Sequence, residues 1–79
     1  TEERRKELVK QVKAEVENCK VSIRNIRRDS NEGLKKLNKD GLSDDKLRNA
    51  EERVQSLTND KTAKAESIFS IKEKDILTV

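Results

Sequence analysis

Residues 8–37, LVKQVKAEVENCKVSIRNIRRDSNEGLKKL, decide the fold of this chain. Apolar or small residues recur in this stretch at steps of three and four, which is the period of one face of an α-helix. This apolar stripe predicts a single long helix, over about residues 2–39, that packs against other helices. Its members are Leu8, Val12, Val16, Cys19, Ile23, Ile26, Ser30, Leu34 and Leu37.

Capping residues predict where this helix ends and where a second one begins. Thr1 is a suitable N-cap, and Gly41 can take the left-handed conformation that closes a helix, so we expect a turn over about residues 40–43. Ser43 then caps a second helix over about residues 44–78, with Leu42 stapled onto Leu47. Its stripe contains Leu47, Ala50, Val54 and Leu57, weakens at Lys61, Thr62 and Ala65, and resumes at Ile68, Ile71, Ile76 and Leu77.

The predicted fold class is all-α, a long antiparallel helical hairpin formed by two helices of a three-helix bundle. Only 30% of the 79 residues are hydrophobic, so two helices alone have little core to build. Several further apolar residues lie off the main stripes and widen the apolar surface: Val9, Leu42, Phe69 and Leu77. We therefore infer that residues 1–79 are part of a bundle domain whose missing helix comes from a longer chain or another subunit. Gly33 suggests a close helix approach.

Composition argues against an enzyme. The chain has one cysteine and no histidine, so it lacks the residues for a disulfide scaffold, a Cys–His or Ser–His–Asp site or an ordinary zinc site. Cys19 lies on the apolar stripe, where we expect a buried core residue. No phosphate-binding glycine loop and no apolar run of about 18 residues is present. We expect no cofactor, no metal, no small-molecule substrate and no membrane contact.

The net positive charge is concentrated on the first helix. Residues 1–39 hold 12 Lys and Arg against 7 Asp and Glu, whereas residues 40–79 hold 7 against 9. The densest cluster projects to one helix face, about 110° from the apolar stripe, and is expected to flank the core. Such a row of cations suits the phosphates of a nucleic acid backbone. The residues of this cluster are Lys20, Arg24, Arg27, Arg28 and Lys35, together with the neutral Asn31 on the same face.

Three other interpretations stay open on these residues alone. Charge runs are usually solvent-exposed faces, so these residues alone favour a solvated surface carrying pairs such as Arg28–Glu32. The apolar stripe would also suit a protein-interaction hairpin that completes a helical bundle with a partner chain. A third hypothesis is a disordered basic segment that folds on contact with its partner.

Four stretches together resemble the C-terminal part of the ribosome recycling factor family, over essentially the whole chain. They are TEERRKELVKQVK at 1–13, VSIRNIRRDSNEGLKKL at 21–37, GLSDDKLRNAEERVQSLT at 41–58 and KEKDILTV at 72–79. The resemblance implies a bundle built from an N-terminal helix, absent here, and two C-terminal helices. It also implies a β-rich domain inserted after the first helix, likewise absent. The family usually has large apolar residues where this chain has Lys61, Thr62 and Ala65.

The resemblance further implies a function and partners. Members of the family bind the ribosome after termination and, with elongation factor G, promote its disassembly. The bundle lies on large-subunit ribosomal RNA, and the family's RNA-contacting arginines correspond to Arg5, Arg24 and Arg27 of this chain. The resemblance implies a location in the bacterial cytoplasm or in an organelle. The ending IKEKDILTV favours the plastid stroma over the mitochondrion.

Overall fold

The computed structural model describes residues 1–78 as two long helices joined by a short turn. Helix α1 runs Glu2–Lys39 over 38 residues, and helix α2 runs Asp44–Leu77 over 34 residues. Both helices and the turn lie where the sequence predicts them. The all-α antiparallel hairpin is therefore confirmed.

Side-chain caps begin both helices, because the first backbone N–H groups of a helix have no partner within it. The Thr1 hydroxyl accepts a hydrogen bond from the Arg4 N–H at 3.3 Å. The Ser43 hydroxyl accepts one from the Lys46 N–H at 3.2 Å. Each predicted N-cap is thus the residue that starts its helix.

Gly41 reverses the chain through a Schellman motif. It has φ 120°, and its N–H donates to the Asn38 carbonyl at 3.2 Å, while the Leu42 N–H donates to the Leu37 carbonyl at 2.9 Å. The Asn38 side-chain amide adds two bonds of 2.8 Å each, one to the Leu42 carbonyl and one to Asp44 Oδ1. Backbone and side-chain bonds together close the turn, and the direction of α2 follows from them.

The hairpin is flat and has no interior. Its Cα atoms extend over 60 × 15 × 7 Å, so it is one helix thick. None of residues 1–78 is fully buried. The accessible surface is 6471 Å², whereas a compact protein of 9.1 kDa exposes only about 4,900 Å². The excess follows from the flat, extended shape, which leaves one flank of each helix uncovered.

The apolar stripe of α1 is split lengthwise into a part that contacts α2 and a part that does not. Val12, Val16 and Ile23 are half-buried against α2. Leu8, Cys19, Ile26 and Leu37 are exposed, with Ile26 at 64%. A line of contact between two helices is narrower than the stripe, so the edge turned away from α2 stays uncovered.

Two assignments made from the stripe are therefore wrong. Cys19 is exposed and not a buried core residue, because it lies on the uncovered edge of the stripe. Val9, Leu42 and Phe69 are half-buried between or beside the helices, although the sequence pattern places them off the seam. Leu77 is 52% exposed, as an off-seam residue should be.

The weak part of the second stripe consists of two different kinds of position. Thr62 and Ala65 are half-buried in the seam, where their small side chains leave space that larger residues would fill. Lys61 is exposed on the apolar side. The stripe of α2 is therefore interrupted in two ways: small residues stand in the seam, and a lysine stands exposed beside it.

Helix α2 does not approach Gly33 closely, so the close helix approach suggested by this glycine stays a prediction for another helix. A Cβ atom added at Gly33 meets no atom within 4 Å. Glycine inside a helix is unfavourable because its backbone loses more freedom on folding than that of alanine. No contact within the hairpin requires glycine at this position, so the entropic cost is not offset there.

We expect Gly33→Ala to stabilise the 79-residue chain by about 0.5–1 kcal/mol, since alanine is the better helix former and has room there. Gly41→Ala, the matched change at φ 120°, should destabilise it by about 1–2 kcal/mol through backbone strain. Urea unfolding followed by circular dichroism at 222 nm measures both. Equal effects at the two glycines would contradict this account.

Candidate nucleic-acid interface

The flat hairpin has two sides of opposite character. At 100° per residue, Arg24 and Ile26 project about 160° apart on α1, so the exposed basic residues and the uncovered apolar residues lie on opposite sides. We call these the basic side and the apolar groove. Arg27 lies between them and also lines the groove beside Ile26. The chain thus has one side rich in exposed cations and another with exposed apolar side chains.

The apolar groove runs between the two helices. Two concavities, of about 570 and 200 Å³, share Ile23 and Lys61 and form its length. Cys19 and Ile26 line it from α1, and Leu57 and Ile68 line it from α2. Its rim carries Glu15 on α1 and three lysines on α2: Lys61, Lys64 and Lys72.

The basic side contains a shallow concavity of about 460 Å³ on α1. Five of the seven residues predicted to bind RNA line it together: Arg24, Arg27, Arg28, Asn31 and Lys35. Lys20 precedes this group by one turn of the helix. Arg5 lies about 28 Å from Arg24 along the axis and is half-buried, so it does not belong to the concavity.

Three predicted residues lie closer to α2 than the sequence suggested. Lys20, Arg27 and Asn31 are half-buried at the edge of the seam, whereas Arg24, Arg28 and Lys35 are exposed. Half of the cluster thus borders the seam directly, and the other half lies further out on the same side of α1. The side of α1 that meets α2 lies between the apolar stripe and the basic residues, and it takes in part of each.

Lys20 is held in an ion pair across the hairpin. Its Nζ lies 2.8 Å from Glu66 Oε1 and 3.7 Å from Glu17 Oε1, and its side chain is only 18% exposed. The hydrogen bond to Glu66 raises the pKa of Lys20 above its usual value. Much of the charge of Lys20 is thus compensated inside the hairpin.

The guanidinium groups of Arg24, Arg27 and Arg28 are not compensated in this way. Within residues 1–78, Lys20 is the only cation with a carboxylate oxygen at 4.0 Å or less. Arg28 Nη2 donates to Asn25 Oδ1 at 3.1 Å, so the suggested pair with Glu32 is not formed. Three arginine charges therefore remain available on one side of α1.

Arg27 contacts α2 through a neutral group. Its Nη1 donates to Gln55 Oε1 at 3.3 Å, and Gln55 Nε2 donates in turn to Asn59 Oδ1 at 2.9 Å. Two polar atoms in the concavity, Arg27 Nε and Asn31 Oδ1, are buried and have no hydrogen-bond partner within the described part of the chain. One is a donor and the other an acceptor, and burial separates both from solvent.

Sequence reasoning missed Gln55 and Asn59 because it considered one helix at a time. The hairpin register would have indicated Gln55, since Arg27 stands fourteen residues before Gly41 and Gln55 fourteen after it. Asn25 and Glu32 also line the concavity.

The described residues hold neither a metal-binding cluster nor a membrane span. No cluster of three or more His, Cys, Asp or Glu residues in positions 1–78 is arranged to hold a metal ion. Neither helix has an apolar stretch long enough to cross a bilayer.

Comparison with known proteins shows what the chain is similar to. The model of the family described as ribosome recycling factor matches residues 1–77. The chain is 58% identical over 79 residues to the ribosome-recycling factor of Cytophaga hutchinsonii, matching 100% of this chain and 42% of that protein. It is 55% identical over 80 residues to that of Staphylococcus carnosus and 52% over 80 to that of Bacillus subtilis. These cover 100% of the chain and 44% and 43% of the relatives, so it spans less than half their length.

The Lys20–Glu66 pair gives the stability of the hairpin a pH dependence. A raised lysine pKa stabilises the fold below the unfolded value of 10.5, and this stabilisation is lost as the pH rises through the folded pKa. Glu66→Gln should therefore lower the thermal midpoint at neutral pH, and its difference from wild type should shrink above pH 10.5. Circular dichroism melts measure this. Glu52→Gln is the control with the same charge change, and equal losses for both variants would disprove a specific pair.

Proposed function

Because the chain belongs to the ribosome recycling factor family, we propose that it is the helical part with which such a factor binds large-subunit ribosomal RNA. The uncompensated arginines on the basic side support this most directly. They stand on one helix, so their spacing is rigid, and each guanidinium can hold phosphate oxygens through two N–H groups. The binding residues we propose are Arg5, Arg24, Arg27, Arg28, Asn31 and Lys35.

The concavity on α1 suits RNA chemistry. Arg24 and Lys35 are about 17 Å apart along the helix axis, a length that spans several nucleotides. Asn31 has an amide and Arg28 a guanidinium at this concavity, groups that can bind a ribose hydroxyl and a phosphate. The chain has one aromatic residue, Phe69, which faces the apolar groove, so contacts to backbone and shape are favoured over base stacking.

Lys20 is different from the other predicted residues, since Glu66 already neutralises it. We assign it a structural part, holding α2 against α1 where Thr62 and Ala65 leave the seam thinly packed. Its place in the predicted RNA-binding set is therefore not carried into the proposal.

We propose that the apolar groove receives a third helix from the longer protein, completing a three-helix bundle that is interrupted by an inserted β-rich domain. The excess accessible surface and the exposed apolar residues on both helices support this. Packing a helix there would bury Cys19, Ile26 and Leu57 and stiffen the hairpin. The alternative function, a hairpin that completes a bundle with a partner chain, would use this same groove.

In the complete factor we propose a non-enzymatic role in disassembling the ribosome after termination. Elongation factor G is the proposed partner, and GTP hydrolysis takes place on that partner. The relatives described above are bacterial, which supports a bacterial cytoplasm as the compartment. An organellar location, with the plastid favoured over the mitochondrion, stays a prediction.

Co-sedimentation with purified large ribosomal subunits tests the RNA-binding proposal. We would use a chimera in which this chain replaces the matching 80 residues of the Bacillus subtilis factor. If about four phosphates are neutralised, affinity should fall on the order of a hundredfold between about 50 and 200 mM salt. Arg24→Ala/Arg27→Ala should weaken binding and reduce the slope of log affinity against log salt by about two.

The matched control is Lys46→Ala/Arg53→Ala, which removes the same charge from exposed positions of α2 outside the concavity. It should bind nearly as well as the unmodified chimera. Binding that is insensitive to salt, or equal losses in the two double variants, would count against a specific basic interface.

Labelling of Cys19 tests the groove. The thiol is exposed in the hairpin, and a peptide with the sequence of the first helix of the Bacillus subtilis factor should slow its reaction with a maleimide roughly tenfold or more. Ile26→Asp should abolish this protection because it places a charge in the groove. Arg28→Glu, on the opposite side of α1, should leave it intact. Equal protection in both variants would show that the peptide binds elsewhere.

A further inference from the structure

Two side chains of α1 reach across the hairpin to α2, and they meet opposite kinds of partner. Lys20 meets the carboxylate of Glu66 at 2.8 Å, whereas Arg27 meets the neutral amide of Gln55 at 3.3 Å. A carboxylate both holds and neutralises a cation. An amide oxygen holds a guanidinium through one N–H and leaves its charge unchanged.

The orientation of the Gln55 amide is itself determined by a neighbour. Its Nε2 donates to Asn59 Oδ1, four residues further along α2, at 2.9 Å. With the nitrogen engaged there, the oxygen is the end that faces Arg27. Asn59, Gln55 and Arg27 thus form a polar chain that ends at the concavity on α1.

Resting on the proposed function, we propose that Gln55 is a positioning residue that holds Arg27 in place for ribosomal RNA without neutralising it. Gln55 contributes no charge of its own, and it acts through Arg27. A guanidinium already held by one N–H loses less rotational freedom when its other N–H groups bind a phosphate. Helix α2 therefore takes part in RNA binding through the side chains that order α1.

The test compares three changes at the same position in the chimera, using the same co-sedimentation assay. Gln55→Ala should weaken binding about two- to tenfold, because Arg27 then has to be ordered on binding. Gln55→Glu should weaken it more, since a carboxylate pairs with Arg27 and competes with phosphate. Gln55→Asn has a shorter amide that cannot reach as far, and it should behave like Gln55→Ala.

Stability separates positioning from a structural role. Gln55→Glu should unfold at the same temperature as the unmodified chimera or higher, because its ion pair with Arg27 is stronger than the amide contact. In Gln55→Glu the affinity for the ribosomal subunit then falls, while the unfolding temperature is kept or rises. A residue that only supported the fold would lose both together.

Gln11→Glu is the matched control, since Gln11 is exposed on α1 and the change adds the same negative charge. In an Arg27→Ala background, the Gln55 changes should weaken binding no more than Gln11→Glu does. If Gln55→Ala binds as well as the unmodified chimera, or weakens binding equally with and without Arg27, the positioning role is wrong. If Arg24→Ala/Arg27→Ala also binds unchanged, the proposed RNA-binding function fails with it.

Discussion

The structure depends on a single line of contact between two antiparallel helices. A slab 7 Å thick in its Cα positions has no interior, so every side chain has to belong to the seam or to one of two surfaces. The seam takes small and medium apolar residues from both helices, together with the inner ends of a few polar ones. On α1 the exposed apolar residues and the exposed arginines are then sorted to opposite sides, while three lysines of α2 stand on the rim of the apolar groove. The separation of the apolar groove from the basic side follows from this geometry.

The helices, their caps and the turn could be predicted because they depend on local interactions. Thr1, Ser43 and Gly41 act on backbone groups within a few residues of themselves, and a sequence window contains everything they need. The antiparallel arrangement follows from the short connection. The direction of contact between the helices depends on both chains at once, so the periodicity of α1 could not reveal it. That is why Cys19 was expected to be buried and Arg27 to lie clear of the seam.

The candidate site was predictable in composition and not in detail. The clustering of Arg24, Arg28 and Lys35 on one face is a property of helical spacing, and the structure retains it. The different environments of Lys20 and Arg27 depend on which residues of α2 stand opposite. Glu66 and Gln55 are eleven residues apart on α2, and neither has a distinctive sequence context. Only the register of the hairpin distinguishes a cation that is paired with a carboxylate from one that keeps its charge uncompensated.

That register is measured from Gly41, which gives the turn a significance beyond reversing the chain. Adding or removing one residue between Asp40 and Ser43 would break the backbone bonds that close this turn, so α2 would have to shift or rotate against α1. Gln55 and Glu66 would then point away from their partners, and Leu57 and Ile68 would leave the groove. The four residues that join the helices thus determine which residues form both surfaces, even at positions some tens of ångströms from the turn. Sequence drift along the outer faces can be tolerated one residue at a time, whereas a change of length in the turn alters both surfaces at once.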